Sequence, residues 1–498
     1  TGHTAGVFQL EGNGMTRYIT QMKPRNLANV IAMVALYRPG PLEFIPTYIK
    51  RMHGEEETSY RHPSMEAIFK ETYGIPIYQE QIMFAAMDIA GYTASEADDL
   101  RKAISKKKAE AIAKHRLRFI DGAQKKGMPS ETAELIFTDW ENFARYGFNK
   151  SHAADYGVIA VQTGYLKTHY TVEYMTALLS ASKNESDKVA FYAADCRLMG
   201  IPVLPPDVNI SGWDFTIEDT PGGPSAIRFG LGAVKNVGQG PVDLILQARQ
   251  EGSFTDLTDF AHRLDLRQVG RRALESLIRV GALDRFGPRL ALLDALDRIM
   301  AISTSHFRAI QSGQMTLFGA ATGVSEDIHL PENIKLDLAE QLGWERELLG
   351  LYVSDHPLTP YLPFLKQRIS YFSAQLGEAR NKESVVVGGM VSRIRPYQTK
   401  AGKPMGFVTL EDIQGNIDLV LFPRTWEEAV GVLEDGKVVL VEGKVDAESG
   451  DPKILVDKVL PVDPEEAGQV SDDGEEIPID LPEDVFYDAE NGDGILST

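Results

Sequence analysis

The fold of the last third of the chain is decided by β-rich segments that begin at VVVGGMVSRI (Val385–Ile394). Four similar segments follow it, at Met405–Asp412, Asn416–Pro423, Lys437–Val445 and Pro452–Val459. Apolar and polar residues alternate along these segments, and turns such as Lys400–Lys403 separate them, as is typical of short antiparallel strands. With one helix-like insert at 425–433, they predict a five-stranded Greek-key barrel of the OB type over residues 384–462.

Upstream of this barrel the spacing of apolar residues changes to a helical one. Apolar residues recur every three or four positions in Glu80–Ala90 and Ala153–Ala181, so residues 1–205 are predicted to be mainly α-helical. Residues 206–300 are predicted to be mixed but mostly helical, and residues 301–383 to be a connector. The predicted fold class is therefore multidomain α+β, which suits a chain of 498 residues.

Charge is distributed unevenly along the chain. The formal net charge of −20, taken as a whole, argues against a nucleic-acid partner. However, residues 464–498 contain twelve acidic residues and no Lys or Arg, which predicts a disordered acidic tail at 463–498. Residues 101–126, in contrast, contain ten basic residues and two acidic ones. The local charge of each segment therefore matters more than the sum.

Compartment and membrane contact are predicted from two simple features. Cys196 is the single cysteine, which permits neither an internal disulfide nor a cysteine-based zinc site. The apolar stretch Ile31–Tyr37 is far too short to span a bilayer. We therefore expect a cytoplasmic protein without a membrane partner.

The basic segment predicts a phosphate-binding surface. Arg101, Lys102, Lys106 and Lys107 crowd a predicted helix and its end, where cations can neutralise phosphates and release their counterions. The alternative is a solvated charged helix face with no ligand.

A polar turn follows this segment, formed by Phe148, Asn149, Lys150, Ser151 and His152. Ser151 is predicted to cap the following helix, and free N–H groups at a helix start suit a phosphate. The alternative is that His152 is a structural histidine. The variety of polar groups on one turn favours a ligand-binding role.

The region 206–300 carries two glycine-containing turns with nearby cations. Gly238 and Gly240 have the spacing of a helix–hairpin–helix turn, in which bare backbone N–H groups approach a DNA phosphate. A second turn at Gly281 lies near Arg271 and Arg272. A simple helix cap is the alternative for the first turn, and a P-loop is excluded because no Gly-Lys-Ser/Thr follows.

The connector contains a short apolar peptide, Gln314, Met315, Thr316, Leu317 and Phe318. An extended segment of this kind can insert Leu317 and Phe318 into an apolar pocket of a protein partner, while the Gln314 amide orients it. In the alternative, both apolar side chains fold back onto their own core.

The predicted barrel combines cations with aromatic residues, as stacking of unpaired bases requires. These residues are Arg393, Arg395, Tyr397, Lys400, Lys403, Phe407 and Phe422. In the alternative, Phe407, Phe422 or both face the barrel interior.

Several stretches, in this order, resemble one family, the alpha subunit of the bacterial replicative DNA polymerase III. They are Gly6–Glu11, Ala35–Pro41, Tyr73–Gln81, Tyr146–His152, Ile201–Pro206 and Arg346–Tyr352. The similarity runs over residues 1–462 and matches the carboxyl-terminal half of that subunit. Gly12 and Asp155 depart from the family's usual residues, without affecting the identification.

The resemblance implies a separate role for each region of the chain. Residues 1–205 would be the fingers, whose basic helix from Arg101 and polar turn lie against the nascent base pair and the deoxynucleoside triphosphate. Residues 206–300 would be the tandem helix–hairpin–helix part of the clamp-binding domain, which grips duplex DNA. Residues 314–318 would dock on the sliding clamp, and residues 384–462 would bind the single-stranded template.

The resemblance also implies the chemistry, which is nucleotidyl transfer assisted by two Mg²⁺ ions held by palm aspartates in an Asp-x-Asp pattern. No two aspartates in this chain are separated by one residue. The palm and its metal ligands are therefore predicted upstream of Thr1, and the isolated chain is predicted to contain no catalytic residue and to be inactive. Its expected partners are a DNA primer-template, nucleotides, the clamp and other replicase subunits.

Two other interpretations stay open at this point. In the first, the chain is a non-catalytic, DNA-binding, clamp-associated accessory protein that shares these modules. In the second, it is an error-prone paralogue of the same subunit, although the good match of Gln314–Phe318 to a clamp-binding peptide favours the replicative subunit.

Overall fold

The structure is a computed structural model whose described residues are 2–106, 108–143, 147–219, 223, 225–312, 328, 330–331, 336–447 and 452–463. The chain divides into two compact units, Thr1–Tyr170 and Thr171–Thr498. Lys107, the peptide Gln314–Phe318 and residues 464–498 of the predicted acidic tail lie outside the described residues.

The first unit is helical, as the spacing of its apolar residues predicts. Its α-helices are α1 (Asn13–Met22), α2 (Leu27–Leu36), α3 (Ile45–His53), α4 (Glu66–Phe69), α5 (Gln79–Ala90), α6 (Ala94–Ser105), α7 (Ala109–Lys125), α8 (Ser130–Phe143) and α9 (Lys150–His169). Short 3-10 helices lie at Pro41–Phe44, Pro63–Met65 and Lys70–Thr72. Gly91 ends α5 in the left-handed conformation, with a φ of 63°, which residues with a Cβ rarely adopt.

Two hydrophobic cores hold this unit together. One is formed mainly by α5–α8, where Phe119 and Trp140 are buried with ring centroids 4.7 Å apart. The other is formed mainly by α1–α3 and α9 and includes the fully buried Met33 and Tyr48.

Helices α2 and α9 approach each other closely at Gly157. A Cβ at this position would lie 2.6 Å from Cγ1 of Ile31, so only glycine fits without a shift. Arg38 follows the end of α2, and its guanidinium lies over the ring of Phe148, which precedes α9. The two helices therefore run antiparallel, and the end of α2 lies beside the start of α9.

The second unit begins with helices and a small sheet. Its α-helices are α10 (Thr171–Ala181), α11 (Ser186–Leu198), α12 (Gln239–Arg249), α13 (Leu257–Arg263), α14 (Leu266–Val269), α15 (Arg271–Arg279), α16 (Arg289–Asp294), α17 (Leu296–Gln311), α18 (Leu338–Leu349), α19 (Leu362–Lys366) and α20 (Pro423–Ala429). Its 3-10 helices include Leu231–Ala233, Asp284–Phe286, Thr359–Tyr361 and Ser373–Glu378. Strands β1 (Val203–Leu204), β2 (Thr216–Glu218) and β3 (Ala226–Arg228) form a sheet of order β1-β3-β2.

The end of the first unit does not coincide with the predicted end of the first domain. The unit ends at Tyr170, and Met175, Leu179 and Val189 belong to the core that also contains Leu277. The boundary at 205 therefore stays a prediction about where the fingers end, and the compact unit ends earlier, at Tyr170.

The predicted five-stranded barrel is confirmed. Its strands are β4 (Ser384–Gln398), β5 (Pro404–Glu411), β6 (Asn416–Leu421), β7 (Val438–Asp446) and β8 (Lys453–Pro461), in the closed order β4-β5-β6-β8-β7. Inward-facing residues such as Val387, Leu410 and Leu419 fill the interior. The predicted helical insert is α20, whose Trp426 packs on Gly406 of β5.

Candidate nucleic-acid interface

The polar turn before α9 is attached to the segment before α5. Tyr78 and Phe148 form an isolated parallel bridge, in which the Gln79 N–H donates to the Phe148 carbonyl (2.9 Å) and the Phe148 N–H donates to the Ile77 carbonyl (3.1 Å). The Gln79 side chain also donates to the carbonyl of Gly147 (2.9 Å). Burial raises the pKa of Tyr78 above its usual range. The position of the turn is thus fixed by hydrogen bonds.

The helix cap at this turn differs from the prediction. Asn149, not Ser151, is the N-cap, because its Oδ1 accepts the N–H of His152 (2.9 Å) and the helix begins at Lys150. Glu80 accepts hydrogen bonds from Lys150 N–H (2.9 Å) and from the Asn149 side chain (2.8 Å). Two N–H groups of this helix start, those of Lys150 and His152, therefore already have acceptors, while the Ser151 side chain is exposed.

Most of the predicted fingers cations have carboxylate neighbours. Lys150 pairs with Glu71 (2.6 Å), and both Arg101 and Lys102 pair with Asp98 at 2.7 Å. Such exposed pairs contribute little stability and can be exchanged for a phosphate. Lys106 is exposed, and His152 is exposed with its ring 4.3 Å from that of Tyr156. These side chains stay candidates for nucleotide and DNA contacts.

One cation at this turn was not singled out as a site residue from the sequence. The Arg38 guanidinium lies 3.8 Å from the centroid of Phe148. Its one sequence signal is its place in the Ala35–Pro41 stretch that resembles the family. Burial lowers the pKa of Arg38.

The helix–hairpin–helix glycines lie at two different kinds of position. Gly238 is the N-cap of α12 and Gly240 lies in its first turn, and nothing lies within 4 Å of where a Cβ would be at either one. Gly281, in contrast, is buried, has a φ of 84°, and its N–H donates to the Ile278 carbonyl (3.0 Å). A Cβ there would collide with the guanidinium of Arg289. Gly281 therefore has a structural reason to be glycine.

The two arginines near these turns lie at the start of α15. Both Arg271 and Arg272 are exposed, and Arg271 forms an ion pair with Asp297 of α17. Both charges therefore lie on the surface, at the start of this helix.

The predicted aromatic and cationic residues of the barrel lie on its outer surface. Arg395 lies directly opposite Phe407 across β4 and β5, and the Tyr397 and Phe407 ring centroids are 5.9 Å apart. Arg393 is also exposed on β4, and Lys400 and Lys403 are exposed in the loop that joins the two strands. We call these six residues the barrel face.

The alternative in which Phe407 or Phe422 faces the interior is wrong. Phe407 is 38% exposed, Phe422 is 51% exposed and Tyr397 is 52% exposed. Two of these exposed rings, Tyr397 and Phe407, lie beside exposed cations of the same strand pair. At the far end of β5, Thr409 donates to Asp418 (3.1 Å), so the cationic part of the barrel face lies toward the β4–β5 loop.

The Mg²⁺ that the family resemblance implies has no fitting site among the described side chains. Across the described ranges, no group of three or more His, Cys, Asp or Glu residues could hold a metal ion. Within the same part of the chain, no helix is long and apolar enough to cross a membrane.

Three family models match separate parts of the chain. The model described as the bacterial DNA polymerase III alpha subunit finger domain matches residues 1–127. A helix-hairpin-helix motif matches residues 200–292, and an OB-fold nucleic acid binding domain matches residues 385–462. These matches agree in order and type with the helical region, the glycine turns and the barrel.

Similar proteins of known name are DNA polymerase III alpha subunits. That of Thermus aquaticus is 45% identical over 455 residues, which cover 89% of this chain and 36% of the relative. Those of Vibrio cholerae and Pseudomonas aeruginosa are each 40% identical, over 89% and 93% of this chain and 39% and 42% of the relative. The chain thus spans well under half the length of these relatives. The resemblance found in the sequence is confirmed, and the chain corresponds to a carboxyl-terminal portion of a bacterial DNA polymerase III alpha subunit.

Proposed function

We propose that this chain supplies the fingers, duplex grip, sliding-clamp docking and single-strand binding of a replicative DNA polymerase in the cytoplasm. In that enzyme a primer is extended with deoxynucleoside triphosphates on a DNA template. The palm, with the aspartates that hold Mg²⁺, would precede Thr1, so no catalytic step is assigned to a residue of this chain.

The barrel face carries this proposal. Phe407 and Tyr397 present exposed rings on which bases can stack, and Arg395 and Arg393 lie beside them on the same strand pair. Stacking on an aromatic side chain contributes about 1–3 kcal/mol per base and tolerates any sequence. The arginines supply the charge that follows a phosphate backbone. Together they suit a single-stranded template.

The test of this face is equilibrium binding of the 498-residue chain to a fluorescent oligothymidylate. Phe407→Ala should weaken binding about tenfold, within the range for loss of one stacked base. Arg395→Gln should weaken binding and also lower the slope of log K against log salt by about 0.7, the value for one phosphate contact on a single strand.

A control charge is available on the same barrel. Lys458 is exposed on β8, outside the barrel face, and it lies opposite Glu442 of β7. Lys458→Gln removes one positive charge and should leave both affinity and salt slope nearly unchanged. If Arg395→Gln and Lys458→Gln behave alike, the barrel face is not the binding site.

Gly240 offers a sharp test of the duplex grip. Because a Cβ at Gly240 meets open space, Gly240→Ala should leave the fold intact while blocking close approach of a phosphate. Duplex affinity should fall several-fold, whereas Gly343→Ala, at an equally open position in α18, should not change it. Unchanged duplex affinity in Gly240→Ala would remove this glycine from the proposal. Gly238, Arg271, Arg272 and Gly281 remain candidates for the same grip.

Clamp docking is assigned to Gln314–Phe318 on the sequence. Replacing Leu317 and Phe318 together with alanine should abolish binding to the sliding clamp and leave oligonucleotide affinity intact. Unchanged clamp affinity would defeat the assignment.

The palm assignment is tested by primer extension. The 498-residue chain with Mg²⁺ and all four nucleotides should not extend a primer. Extension by this chain alone would overturn the assignment.

A further inference from the structure

Arg38 occupies a position that the fold holds firmly. Its own N–H donates to the Leu36 carbonyl (2.8 Å), and its carbonyl accepts the N–H of Leu42 (3.1 Å). The close approach of α2 and α9 at Gly157 then brings its guanidinium onto the ring of Phe148, 3.8 Å from the centroid. The side chain is half-buried in this stacked arrangement.

Arg38 differs from its neighbours because it lacks a carboxylate. Five other arginines of the first unit each pair with at least one acid, namely Arg51, Arg61, Arg101, Arg116 and Arg118. Among the residues with assigned positions, none forms an ion pair with Arg38, and its buried Nε has no hydrogen-bond acceptor. Residues 144–146, which lie outside the described ranges, contain no acid.

Partial desolvation of a guanidinium that has no carboxylate partner costs free energy, and a bound anionic ligand would offset this cost. Stacking on Phe148 stabilises the cation through the ring face and leaves the edge of the guanidinium plane for hydrogen bonds. A planar fork of N–H groups matches two oxygens of a phosphate group. The arrangement is therefore suited to a phosphate-bearing ligand.

We propose that Arg38, held on Phe148, binds a phosphate group of the incoming deoxynucleoside triphosphate, an inference that rests on the proposed fingers function of the first unit. A DNA phosphodiester also offers two unesterified oxygens but carries only one negative charge. A terminal phosphate carries about −1.5 to −2, as phosphomonoesters do, and so compensates a partly desolvated cation better. Lys150 and Arg101 would exchange a carboxylate neighbour for the phosphate, whereas Arg38 has no ion pair among the described residues to exchange.

The experiment measures equilibrium binding of N-methylanthraniloyl-labelled dATP to the 498-residue chain by fluorescence anisotropy. Arg38→Gln should weaken binding at least tenfold, because a charge-assisted hydrogen bond to the phosphate is lost. Arg38→Lys should give an intermediate loss, since an ammonium keeps the charge but not the planar fork. Arg61→Gln, at an exposed arginine paired with Asp139, is the matched control and should bind like the wild type.

Parallel titrations with a duplex primer-template and with oligothymidylate separate the possible failures. The proposal is overturned if the wild type does not bind the labelled nucleotide at millimolar concentration. It is also overturned if Arg38→Gln binds the nucleotide as tightly as the wild type. Loss of primer-template affinity with unchanged nucleotide affinity would assign Arg38 to DNA and would overturn it as well. Failure of the wild type to bind either oligonucleotide would instead defeat the proposed function. If the circular dichroism of Arg38→Gln shows a loss of helix, the nucleotide affinity of Arg38→Lys is used in its place.

Discussion

Replacing Glu345 by glutamine should destabilise the second unit by about 3 kcal/mol, because it removes the charge from a buried ion pair. Glu345 is fully buried, and its Oε1 accepts from Arg289 Nη1 at 3.0 Å. Its Oε2 accepts the N–H groups of Val353 (2.9 Å) and Ser354 (3.0 Å). Glutamine has only one oxygen, so either the guanidinium or these amides would face an NH₂ group.

The expected size of this effect depends on the contacts that Arg289 keeps after the substitution. Breaking a buried pair costs about 3–5 kcal/mol, and an unsatisfied buried donor costs about 1–3 kcal/mol. Arg289 keeps its ion pair with Asp284 (3.1 Å), whose side chain is partly exposed, so we expect the lower end of the first range. The two penalties describe the same lost contacts and are not added.

Hydrogen exchange followed by mass spectrometry provides a local assay. In Glu345→Gln, peptides that contain Val353 and Ser354 should exchange about a hundredfold faster, as a loss of about 3 kcal/mol implies. Glu347→Gln, at an exposed position of the same helix, should change exchange little. A loss below about 1 kcal/mol, or equal effects of the two substitutions, would refute this reasoning.

Two further predictions concern stability. Arg267 lowers the pKa of Asp265 to about 2, so Asp265→Asn, which keeps a helix cap but removes the charge, should cost about 1–2 kcal/mol at pH 7. Because this pKa is depressed by folding, the stabilisation is complete above the unfolded value near 4 and is lost as pH falls toward 2. Urea midpoints of the two proteins should converge over that window, and a constant difference would contradict the prediction. Gly406→Ala should cost about 1–3 kcal/mol, because its Cβ would overlap the Trp426 ring. Gly431→Ala meets open space, and equal melting temperatures of these two variants would contradict the packing argument.

The barrel could be predicted because each strand carries its own alternating pattern. Its five segments lie close to the observed strands, although β4 extends to Gln398 instead of ending at Ile394. The irregularity of β4 between Val391 and Arg393 was not predicted, because a bulge is defined by pairing with β5 and not by either sequence alone. Strands of two or three residues, such as Val203–Leu204, contain too few residues for a periodic signal.

The candidate interface was predictable in residue type but not in detail. Asn149 and Ser151 are both good helix caps, and the contacts of Asn149 and Lys150 with Glu80, which is remote in sequence, could not be predicted. Arg38 was missed because the absence of a carboxylate near it depends on residues far away in sequence. Whether Phe407 and Phe422 face the barrel interior stayed open in the sequence, because the solvent-facing side of a strand depends on its register, and the structure exposes both rings.

The closed order of the barrel also has a consequence for self-association. Each of its five described strands has a hydrogen-bonded neighbour on both sides, including the parallel pair of β6 and β8 that completes the ring. A sheet without an unpaired border cannot recruit a strand from another copy, so the barrel offers crowded molecules no template for cross-β growth. The barrel can therefore carry exposed aromatic rings on its side without that route to aggregation.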